Sequence, residues 1–387
     1  MNTTMLKPGI YFVGAVDWNA RTFHGYSVSR GVTYNAYLIV DEKIALIDTV
    51  KKEFAGELLD RISEIVDPSK IDYIISNHVE IDHSGSIPAV MEVAKDAIIV
   101  TSAPNGKKGL IAHYGASYQY QEVRAGDSLS LGKRSLQFVG TPMLHWPDNM
   151  VTYCPEEKIL FSNDAFGQHY TSYHHFDDEV DLAGVLDEAR HYYANILMPY
   201  GSQAKKALSV VEGLDIEMIA PSHGIIWRSH IKDIMEEYNK YANNITDDYA
   251  LVVYDTMWHS TEKMAHSVAE GFAKRGTRVK LLDLNVNELS DIMKELQIAK
   301  YLAVGCPTLD SYITPNMGAF LTYMKCLAPK GKKGFAFGSY GWGGQSIGVV
   351  NQHLQDLGVE IILDPIKINY VPSKDQLLEI ENMVASL

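Results

Sequence analysis

The segment that most constrains the fold is "IDYIISNHVEIDHSGS", residues 71–86. Its first part is a nearly continuous apolar run, which is typical of a strand buried in a sheet. Directly after that run come four side chains of the kinds that bind metal ions: His78, Glu80, Asp82 and His83. A solvated acidic turn would need neither the two histidines nor the small residues that follow them. The segment therefore predicts a metal site at the end of a buried strand.

Three further strand ends carry the same kinds of side chains. His145 follows the run "SLQFVGTPM", Asp164 follows "KILFSN", and His223 follows "EMIAPS". Because ligands collect at the carboxyl ends of strands in α/β sheets, we expect all seven side chains to converge. Four imidazoles and three carboxylates are enough for two metal ions if one carboxylate bridges them. Asp164, which comes alone from its own strand, is the expected bridge, and the carboxylate-rich set favours iron over zinc.

The chain has 14 histidines, and most of the others are better explained as surface or hydrogen-bonded core residues than as ligands. His24 and His169 are the exceptions, because we expect them to form hydrogen bonds to the ligands.

The two halves of the chain differ in the predicted order of strands and helices. The first half contains strands separated by turns, including a predicted hairpin in "YNAYLIVDEKIALIDTV", and then alternating strands and helices. After the polar helix and connector "SHIKDIMEEYNKYANNITDD", five strands, from "YALVVYDT" to "VEIILDPIKI", alternate with helices. That alternation predicts a doubly wound parallel sheet. Since 387 residues exceed one ordinary domain, we predict two domains, residues 1–248 and 249–387.

Three loops of the second domain predict a flavin mononucleotide (FMN) site. "VVYDTMWHSTEKMA" reads as strand, loop and helix, and its hydroxyls and helix N-terminus suit a single phosphate, although helix capping explains this turn equally well. No GxGxxG or Walker pattern is present. The Gly-rich loops "GCPTLDSYITPNMG" and "GSYGWGGQS" add aromatic side chains that suit a flat ring. The predicted FMN-binding residues are Thr256, Met257, Trp258, His259, Ser260, Thr261, Pro307, Thr308, Leu309, Asp310, Tyr312, Ser339, Tyr340, Gly341, Trp342 and Gly343.

One of these residues is unusual. His259 lies in the phosphate loop, where a small residue is expected, so it either alters the phosphate contacts or points outward.

These motifs together resemble a known family. The pattern H-x-[H/E]-x-D-H after a strand resembles the metallo-β-lactamase fold, whose hydrolases have histidine at the middle position. With Glu80 at that position and His145, Asp164 and His223 downstream, the chain resembles the flavodiiron proteins. The second half resembles flavodoxin, and the order of the halves matches the same family. The resemblance implies an α/β protein: an N-terminal metallo-β-lactamase-like αβ/βα sandwich followed by a C-terminal flavodoxin-like doubly wound parallel sheet.

The resemblance also implies the cofactors and the reaction. One iron would be held by His78, Glu80, His145 and Asp164, and the other by Asp82, His83, Asp164 and His223. The implied enzyme is an oxidoreductase that uses electrons from FMN to reduce dioxygen to water or nitric oxide to nitrous oxide. We expect His24, Tyr192 and Tyr193 to supply protons or hydrogen bonds.

The implied partners are a diatomic gas and a separate electron donor, since no CxxC pair follows the second domain up to Leu387. A rubredoxin or a reduced deazaflavin coenzyme would serve as donor. The resemblance further implies a head-to-tail homodimer, and tetramers are left open. A net charge of −14 disfavours nucleic acid and anionic membranes as partners. With no targeting or membrane-spanning segment and only three cysteines, we expect a cytoplasmic protein.

Two alternatives compete with this interpretation. One is a dizinc hydrolase of the metallo-β-lactamase type with an accessory flavodoxin-like module; Glu80 disfavours it, because such hydrolases use histidine there to support a zinc-bound hydroxide. The other is a pure electron carrier or redox sensor, which a complete set of seven ligands disfavours. The choice between dioxygen and nitric oxide stays open, because both gases are small and suit the same ligands.

Overall fold

The computed structural model describes residues 3–387, and the chain separates into two compact units. Unit 1 comprises the residues up to Tyr192 together with Ser202–Asn239. Unit 2 comprises Tyr193–Gly201 together with Lys240–Leu387. The predicted boundary at 248/249 falls inside the strand Asp247–Tyr254 and stays a prediction.

Unit 1 is built on short strands. Its strands are β1 (Thr4–Lys7), β2 (Ile10–Phe12), β3 (Ala15–Asp17), β4 (Thr22–Phe23), β5 (Tyr26–Ser27), β6 (Val32–Tyr34), β7 (Tyr37–Val40), β8 (Ile44–Ile47), β9 (Tyr73–Ser76), β10 (Ile98–Ser102), β11 (Tyr120–Val123), β12 (Ser128–Ser130), β13 (Ser135–Gly140), β14 (Met150–Cys154), β15 (Ile159–Asn163) and β16 (Met218–Pro221). Its helices are α1 (Ala55–Ser63), α2 (Ile81–Ser84), α3 (Ile87–Val93), α4 (Asn105–Tyr114), α5 (Leu182–Tyr192), α6 (Gly201–Val211) and α7 (Ile231–Ala242), of which α6 begins and α7 ends just inside unit 2.

The strands of unit 1 form two large sheets. One has the order β1-β2-β7-β8-β9-β10-β11, and its members from β8 to β11 run parallel. The other has the order β12-β13-β14-β15-β16 and is antiparallel except for its last pair. The predicted hairpin is present, because β7 and β8 pair antiparallel.

A single core lies between the two sheets. Ile47 and Ile75 from the first sheet share one buried cluster with Phe138 and Phe161 from the second. The sheets therefore pack face to face, and the helices of their crossovers are left to cover the outer faces, as α4 does on β10. This arrangement confirms the predicted αβ/βα sandwich.

Unit 2 alternates strands and helices. Its elements are β17 (Asp247–Tyr254), α8 (Ser260–Lys274), β18 (Arg278–Asp283), α9 (Leu289–Ile298), β19 (Ala299–Gly305), α10 (Pro315–Leu327), β20 (Lys333–Tyr340), α11 (Gln345–Asp356), β21 (Glu360–Ile361), β22 (Ile366–Asn369) and α12 (Lys374–Ala385). The strand order β18-β17-β19-β20-β21 with parallel pairing is the 2-1-3-4-5 order of a flavodoxin-like sheet, which confirms that prediction.

The fifth strand differs from the sequence prediction. The stretch "VEIILDPIKI" forms two short strands, β21 and β22, both of which pair parallel with β20. Pro365 lies between them, and since proline has no N–H to donate to a ladder, the strand is interrupted there. Among residues 3–387, no helix combines the length and the apolar composition that crossing a bilayer requires.

Candidate metal centre and cofactor cavity

The seven predicted ligands all lie just beyond strand ends of unit 1. His78 follows β9, which is almost entirely apolar because it is buried in the middle of its sheet. Glu80 directly precedes α2, and the next turn carries Asp82 and His83. The other three ligands lie beyond β13, β15 and β16 of the second sheet: His145, Asp164 and His223. Two sheets and four strand ends therefore contribute to one cluster.

The first set of donor atoms surrounds one oxygen of Glu80. Glu80 Oε2 is 3.3 Å from His78 Nε2 and 3.3 Å from His145 Nε2. Asp164 Oδ2 is 3.8 Å from His78 Nε2 and 3.5 Å from His145 Nε2. Two imidazoles and two carboxylates thus face a common point.

The second set is arranged in the same way around Asp82. Asp82 Oδ2 is 3.3 Å from His83 Nε2 and 3.1 Å from His223 Nε2. Asp164 Oδ1 is 3.1 Å from His83 Nε2 and 3.6 Å from His223 Nε2. Asp164 therefore presents one oxygen to each set, which is the geometry of a bridging carboxylate.

Two observations show that these residues fit metal ions. Donors bound to one ion at about 2.0–2.2 Å lie roughly 3.0–3.5 Å apart, close to the 3.1–3.8 Å separations seen here. Several of the donor atoms are buried without a hydrogen-bond partner, and an unpartnered buried polar atom is costly. These atoms are both oxygens of Asp82, Oδ2 of Asp164, and Nε2 of His83, His145 and His223.

The shifted pKa values of the imidazoles also indicate that the cluster binds positive charge. Burial lowers the pKa of the His78 imidazole, but the carboxylates of Asp148 and Glu80 outweigh it and raise that pKa to about 10. The same competition raises the pKa of His83 and of His145 to about 9. Without metal, these imidazoles bind protons that neutralise the carboxylates, and bound metal ions would take over that charge.

The three carboxylates of the cluster stay ionised. Burial alone would raise their pKa values, but the surrounding imidazoles reverse the effect. The pKa of Glu80 falls to about 2, and the pKa values of Asp82 and Asp164 lie well below their usual range. Ionised carboxylates together with imidazoles form a donor set that suits iron.

Partners on the far side of the ligands fix their orientation. His78 Nδ1 lies 2.9 Å from Asp148 Oδ2, which also accepts the Val79 N–H at 2.8 Å. His223 Nδ1 lies 2.6 Å from the carbonyl oxygen of Thr33. Such contacts set which ring nitrogen faces the metal.

Sequence reasoning missed Asp148. The signal available was an acidic residue three positions after His145, in "HWPDN", but nothing in the sequence pairs it with His78.

A glycine lets the His223 loop approach its neighbours. Gly224 has φ +80°, and a Cβ there would lie 1.7 Å from Gln168 Oε1. Its N–H donates to Thr33 Oγ1 at 2.6 Å. A residue with a side chain would therefore displace the backbone that carries this ligand.

The residues predicted to assist the centre lie at different places. Tyr192 donates its O–H to Asp164 Oδ1 at 2.9 Å, and burial raises its pKa well above the usual value. His24 Nδ1 lies 3.5 Å from Glu80 Oε1, and burial lowers its pKa. Tyr193 belongs to unit 2, where its ring centroid is 5.1 Å from that of Tyr241.

His169 packs beside the second donor set, but its hydrogen bond is to Tyr26 and not to a ligand as predicted. Its ring centroid is 5.4 Å from that of His223, and its Nε2 is 2.9 Å from the hydroxyl of Tyr26. Burial, with help from the neighbouring His223, lowers the pKa of His169 well below its usual value, so this ring is neutral.

A cavity of about 320 Å³ connects the cluster to the surface of unit 1. Its wall includes His24 and the ligands Glu80 and Asp82, with Lys51 and Phe23 also on the wall. A small molecule that enters here meets one carboxylate of each donor set.

A second cavity, of about 440 Å³, lies in unit 2 at the carboxyl ends of the parallel strands. Twelve of the sixteen predicted FMN residues line it: Thr256, Met257, Trp258, Ser260, Pro307, Thr308, Leu309, Asp310, Ser339, Tyr340, Gly341 and Trp342. The structure adds Tyr370 and Val371 from the loop after β22, which the sequence reasoning missed. The only signal for them was an aromatic residue just beyond the last strand.

Four predicted FMN residues are not on the wall of this cavity: His259, Thr261, Tyr312 and Gly343. Thr261 is buried, and its hydroxyl lies 2.9 Å from the hydroxyl of Ser339, so it supports the wall from behind. His259 points outward and pairs with Glu262 at 2.5 Å. It also has φ 64°, a left-handed conformation that favours glycine or asparagine.

The cavity fits FMN. Its volume lies within the usual range of cofactor sites, and exposed aromatic rings, Trp258 and Trp342, border it. Thr256 Oγ1 is buried without a partner next to the N-terminus of α8, whose first N–H groups have no partner within the helix. A phosphate would satisfy both kinds of donor.

A buried carboxylate holds the phosphate loop in place. Asp255 accepts the Thr256 N–H at 2.7 Å and the Asn285 side-chain amide at 2.9 Å. It also accepts the hydroxyl of Thr314, the residue before α10. Asp255 thereby ties together three loops around the cavity.

Comparisons with known proteins match both halves of the chain. Residues 32–224 match the family described as ODP family beta lactamase, and residues 252–382 match the flavodoxin family. The chain is 47% identical to the nitric oxide reductase of Moorella thermoacetica, over 96% of this chain and 94% of that protein. It is 41% identical to the rubredoxin-oxygen oxidoreductase of Megalodesulfovibrio gigas, over 100% and 98% of the two chains. The flavodiiron protein of Giardia intestinalis superposes with a TM-score of 0.96 at 34% identity, over 100% of this chain and 96% of that one.

Proposed function

We propose that this chain, which belongs to the flavodiiron proteins, is an oxidoreductase that uses electrons delivered by FMN to reduce dioxygen or nitric oxide at a diiron centre. The observation that carries the proposal is the bridged donor set, in which Asp164 presents one oxygen to each half. Glu80 adds an anionic oxygen where a dizinc hydrolase would have a neutral imidazole, and this difference favours an ion that cycles between charge states.

The cofactors and the protein chain have different parts in the proposed reaction. When bound, the irons supply electrons and open positions for a small diatomic ligand, and FMN supplies them with electrons. The net reactions are O₂ + 4e⁻ + 4H⁺ → 2H₂O and 2NO + 2e⁻ + 2H⁺ → N₂O + H₂O. The chain itself must hold the metal ions, admit the gas through the 320 Å³ cavity, and provide protons.

The seven ligands have proposed roles in two groups. One iron would be held by His78, Glu80, His145 and Asp164, and the other by Asp82, His83, Asp164 and His223. The FMN ring and phosphate would occupy the cavity of unit 2, where Thr256 and the N-terminus of α8 would bind the phosphate and Trp258 and Trp342 would contact the ring.

We further propose that His24 and Tyr192 hold or donate protons near the reacting gas; the same role for Tyr193, whose ring packs on Tyr241 in unit 2, stays a prediction. The contacts favour the first two. Tyr192 already donates to the bridging Asp164, and its raised pKa keeps the hydroxyl protonated. His24 lies on the wall of the entry cavity within 3.5 Å of Glu80. Its lowered pKa keeps the ring neutral at neutral pH, so it can accept a proton from water and pass it on.

The electron donor and the assembly are also proposals. A rubredoxin is the proposed donor, since one relative is named for oxidising rubredoxin, and a reduced deazaflavin coenzyme is the alternative. A head-to-tail homodimer is proposed so that the FMN of one copy serves the metal centre of another, and tetramers stay open. Three free thiols support a reducing compartment such as the cytoplasm.

The test is an anaerobic stopped-flow experiment on the pre-reduced protein after metal analysis. We expect two irons and one FMN per chain, and rapid flavin reoxidation on mixing with dioxygen, nitric oxide or both. The faster gas identifies the preferred substrate. If the protein contains zinc in place of iron, and neither gas reoxidises the flavin, the dizinc hydrolase becomes the favoured function.

A further inference from the structure

Unit 1 contains an apolar cavity that the proposed reaction does not use. It lies between α6 and the second sheet, and its wall carries Leu144, Val151, Leu160, Ala165, Ala204 and Leu208. Its volume is about 20 Å³, enough for one molecule of about the size of water.

The wall includes three side chains that carry a hydroxyl group: Thr141, Ser162 and Tyr238. The hydroxyl of Ser162 donates to the Ala165 carbonyl at 2.7 Å, and the hydroxyl of Tyr238 accepts the Phe166 N–H at 2.7 Å. The surface that remains exposed to the cavity is apolar. Apolar cavities stay dry and larger ones bind xenon, so we expect this one to exclude water and to admit a small apolar molecule.

The cavity adjoins one half of the metal centre. Leu144 is one peptide bond from the ligand His145, and Ala165 is one peptide bond from the bridging Asp164. Both ligands belong to the same donor set. On the opposite wall, Ala207 of α6 is half-buried, so a single helix separates the cavity from the surface.

We propose that this cavity is a holding site for the diatomic gas, separate from the polar entry cavity at His24; this rests on the proposed function. Dioxygen and nitric oxide are small and nearly apolar, so their transfer from water into such a space is favourable. A gas molecule held there lies beside the His145 half of the centre, which raises the local gas concentration when the gas is scarce.

The first experiment is xenon pressurisation of crystals of the iron- and FMN-loaded protein. We expect a xenon atom between α6 and β15, bounded by Leu160 and Ala204. This readout does not depend on turnover. Xenon found here in a protein that reduces neither gas would reject the proposed function, and with it the gas role of the cavity. If the protein reduces gas but no xenon binds in this cavity, the holding site is contradicted while the proposed function stands.

Two variants with opposite effects on the cavity provide the kinetic test. Ala204→Leu fills the space, and we expect it to abolish xenon binding and raise the KM for the gas by about threefold or more. The kcat at saturating gas should be unchanged, because the variant loses the site that holds gas beside the centre but keeps every group that acts in the reaction. Leu208→Ala enlarges the space and is expected to raise xenon occupancy. If Ala204→Leu fails to fold, Leu208→Ala still tests the proposal. Unchanged xenon occupancy in Leu208→Ala would contradict the assigned location.

A matched control separates this effect from general overpacking. Ala94 is as buried as Ala204 but follows α3 on the other sheet, away from the cavity. Ala94→Leu is expected to leave the xenon site and the KM unchanged. Equal KM values for Ala204→Leu and the parent protein would show that the cavity binds apolar atoms without serving the reaction.

Discussion

The metal centre of unit 1 and the cofactor cavity of unit 2 are built in opposite ways. The donors of the metal centre are nearly all buried, and partners such as Asp148 and Thr33 hold the imidazole rings in place. The cofactor cavity is formed by loops, and two of its aromatic residues, Trp258 and Trp342, are 86% and 81% exposed.

This difference follows from what each ligand needs. A metal ion requires several donors at fixed short distances, so the protein must pre-arrange them and exclude competing water. A flat ring with one phosphate requires surfaces and a few N–H groups, which flexible loops can supply. A single substitution of a ligand should therefore abolish iron binding almost completely. A single substitution in the cofactor cavity should only weaken FMN binding.

The largest effect is expected from Asp164→Ala. Because this carboxylate faces both donor sets, its loss should remove both irons and lower gas reduction by more than about 100-fold, beyond the range seen for residues that only support ligands. FMN content should be unchanged. Metal analysis and flavin absorbance on the same sample measure both quantities.

The matched control for that variant is Asp215→Ala. Asp215 is an exposed acidic residue whose pairing with Lys158 is at the surface, so its removal should change neither iron nor activity. Full iron content in Asp164→Ala would show that Asp164 does not bridge the two sets.

A smaller effect on the same centre is expected from Asp148→Asn. The change removes the charge that orients His78 while leaving all seven ligands, and supporting residues of this kind are worth about 10–100-fold in metal affinity. A chelator titration followed by iron analysis should show one iron lost before the other. Identical chelator titration curves for the variant and the parent protein would show that Asp148 does not support metal binding.

In unit 2, Thr256→Val should weaken FMN binding and spare the irons. The substitution keeps the shape and removes a buried hydroxyl that lacks a partner, and a hydrogen bond to a charged phosphate is worth about 1.5–3 kcal/mol. Fluorescence titration of the flavin-free protein with FMN measures the change. Thr277→Val, at a buried threonine that does not line the cavity, is the control and should leave FMN affinity unchanged.

The smallest effect is expected from His259→Gly. His259 is held at φ 64° and points outward, so glycine should relieve the left-handed strain and stabilise unit 2 by about 1 kcal/mol or less, with FMN affinity nearly unchanged. Thermal unfolding and FMN titration test this. The same change at His266, an exposed position within α8, should instead destabilise by a few tenths of a kcal/mol. A large loss of FMN affinity in His259→Gly would place this side chain in the phosphate site.

The sequence predicted best what chemistry restricts most. Few side chains bind iron, and each metal-binding candidate directly followed an apolar strand, so His145, Asp164 and His223 stood out although they are far apart in the chain. The Gly-rich loops of unit 2 were equally visible, because a ring cannot approach a backbone that carries bulky side chains.

Features that depend on tertiary packing were not predictable. Asp148 has no motif, and its role arises only because its loop passes behind His78. Tyr192 and Tyr193 were indistinguishable in sequence, yet neighbouring helical residues point about 100° apart. Tyr192 therefore contacts Asp164 while Tyr193 packs on Tyr241. Tyr370 lies too far along the chain from the other aromatic residues to be grouped with them.

The spread of the ligands along the chain has a consequence for biosynthesis. The donor set begins at His78 and is complete only with His223, so no shorter nascent chain can hold both irons. The cofactor cavity begins at Thr256 and ends at Val371, entirely after the last ligand. Because domains fold as units while the ribosome still adds residues, all seven iron donors can come together before the last residues of the cofactor cavity have been made. A cell short of flavin would thus still accumulate chains able to take up iron.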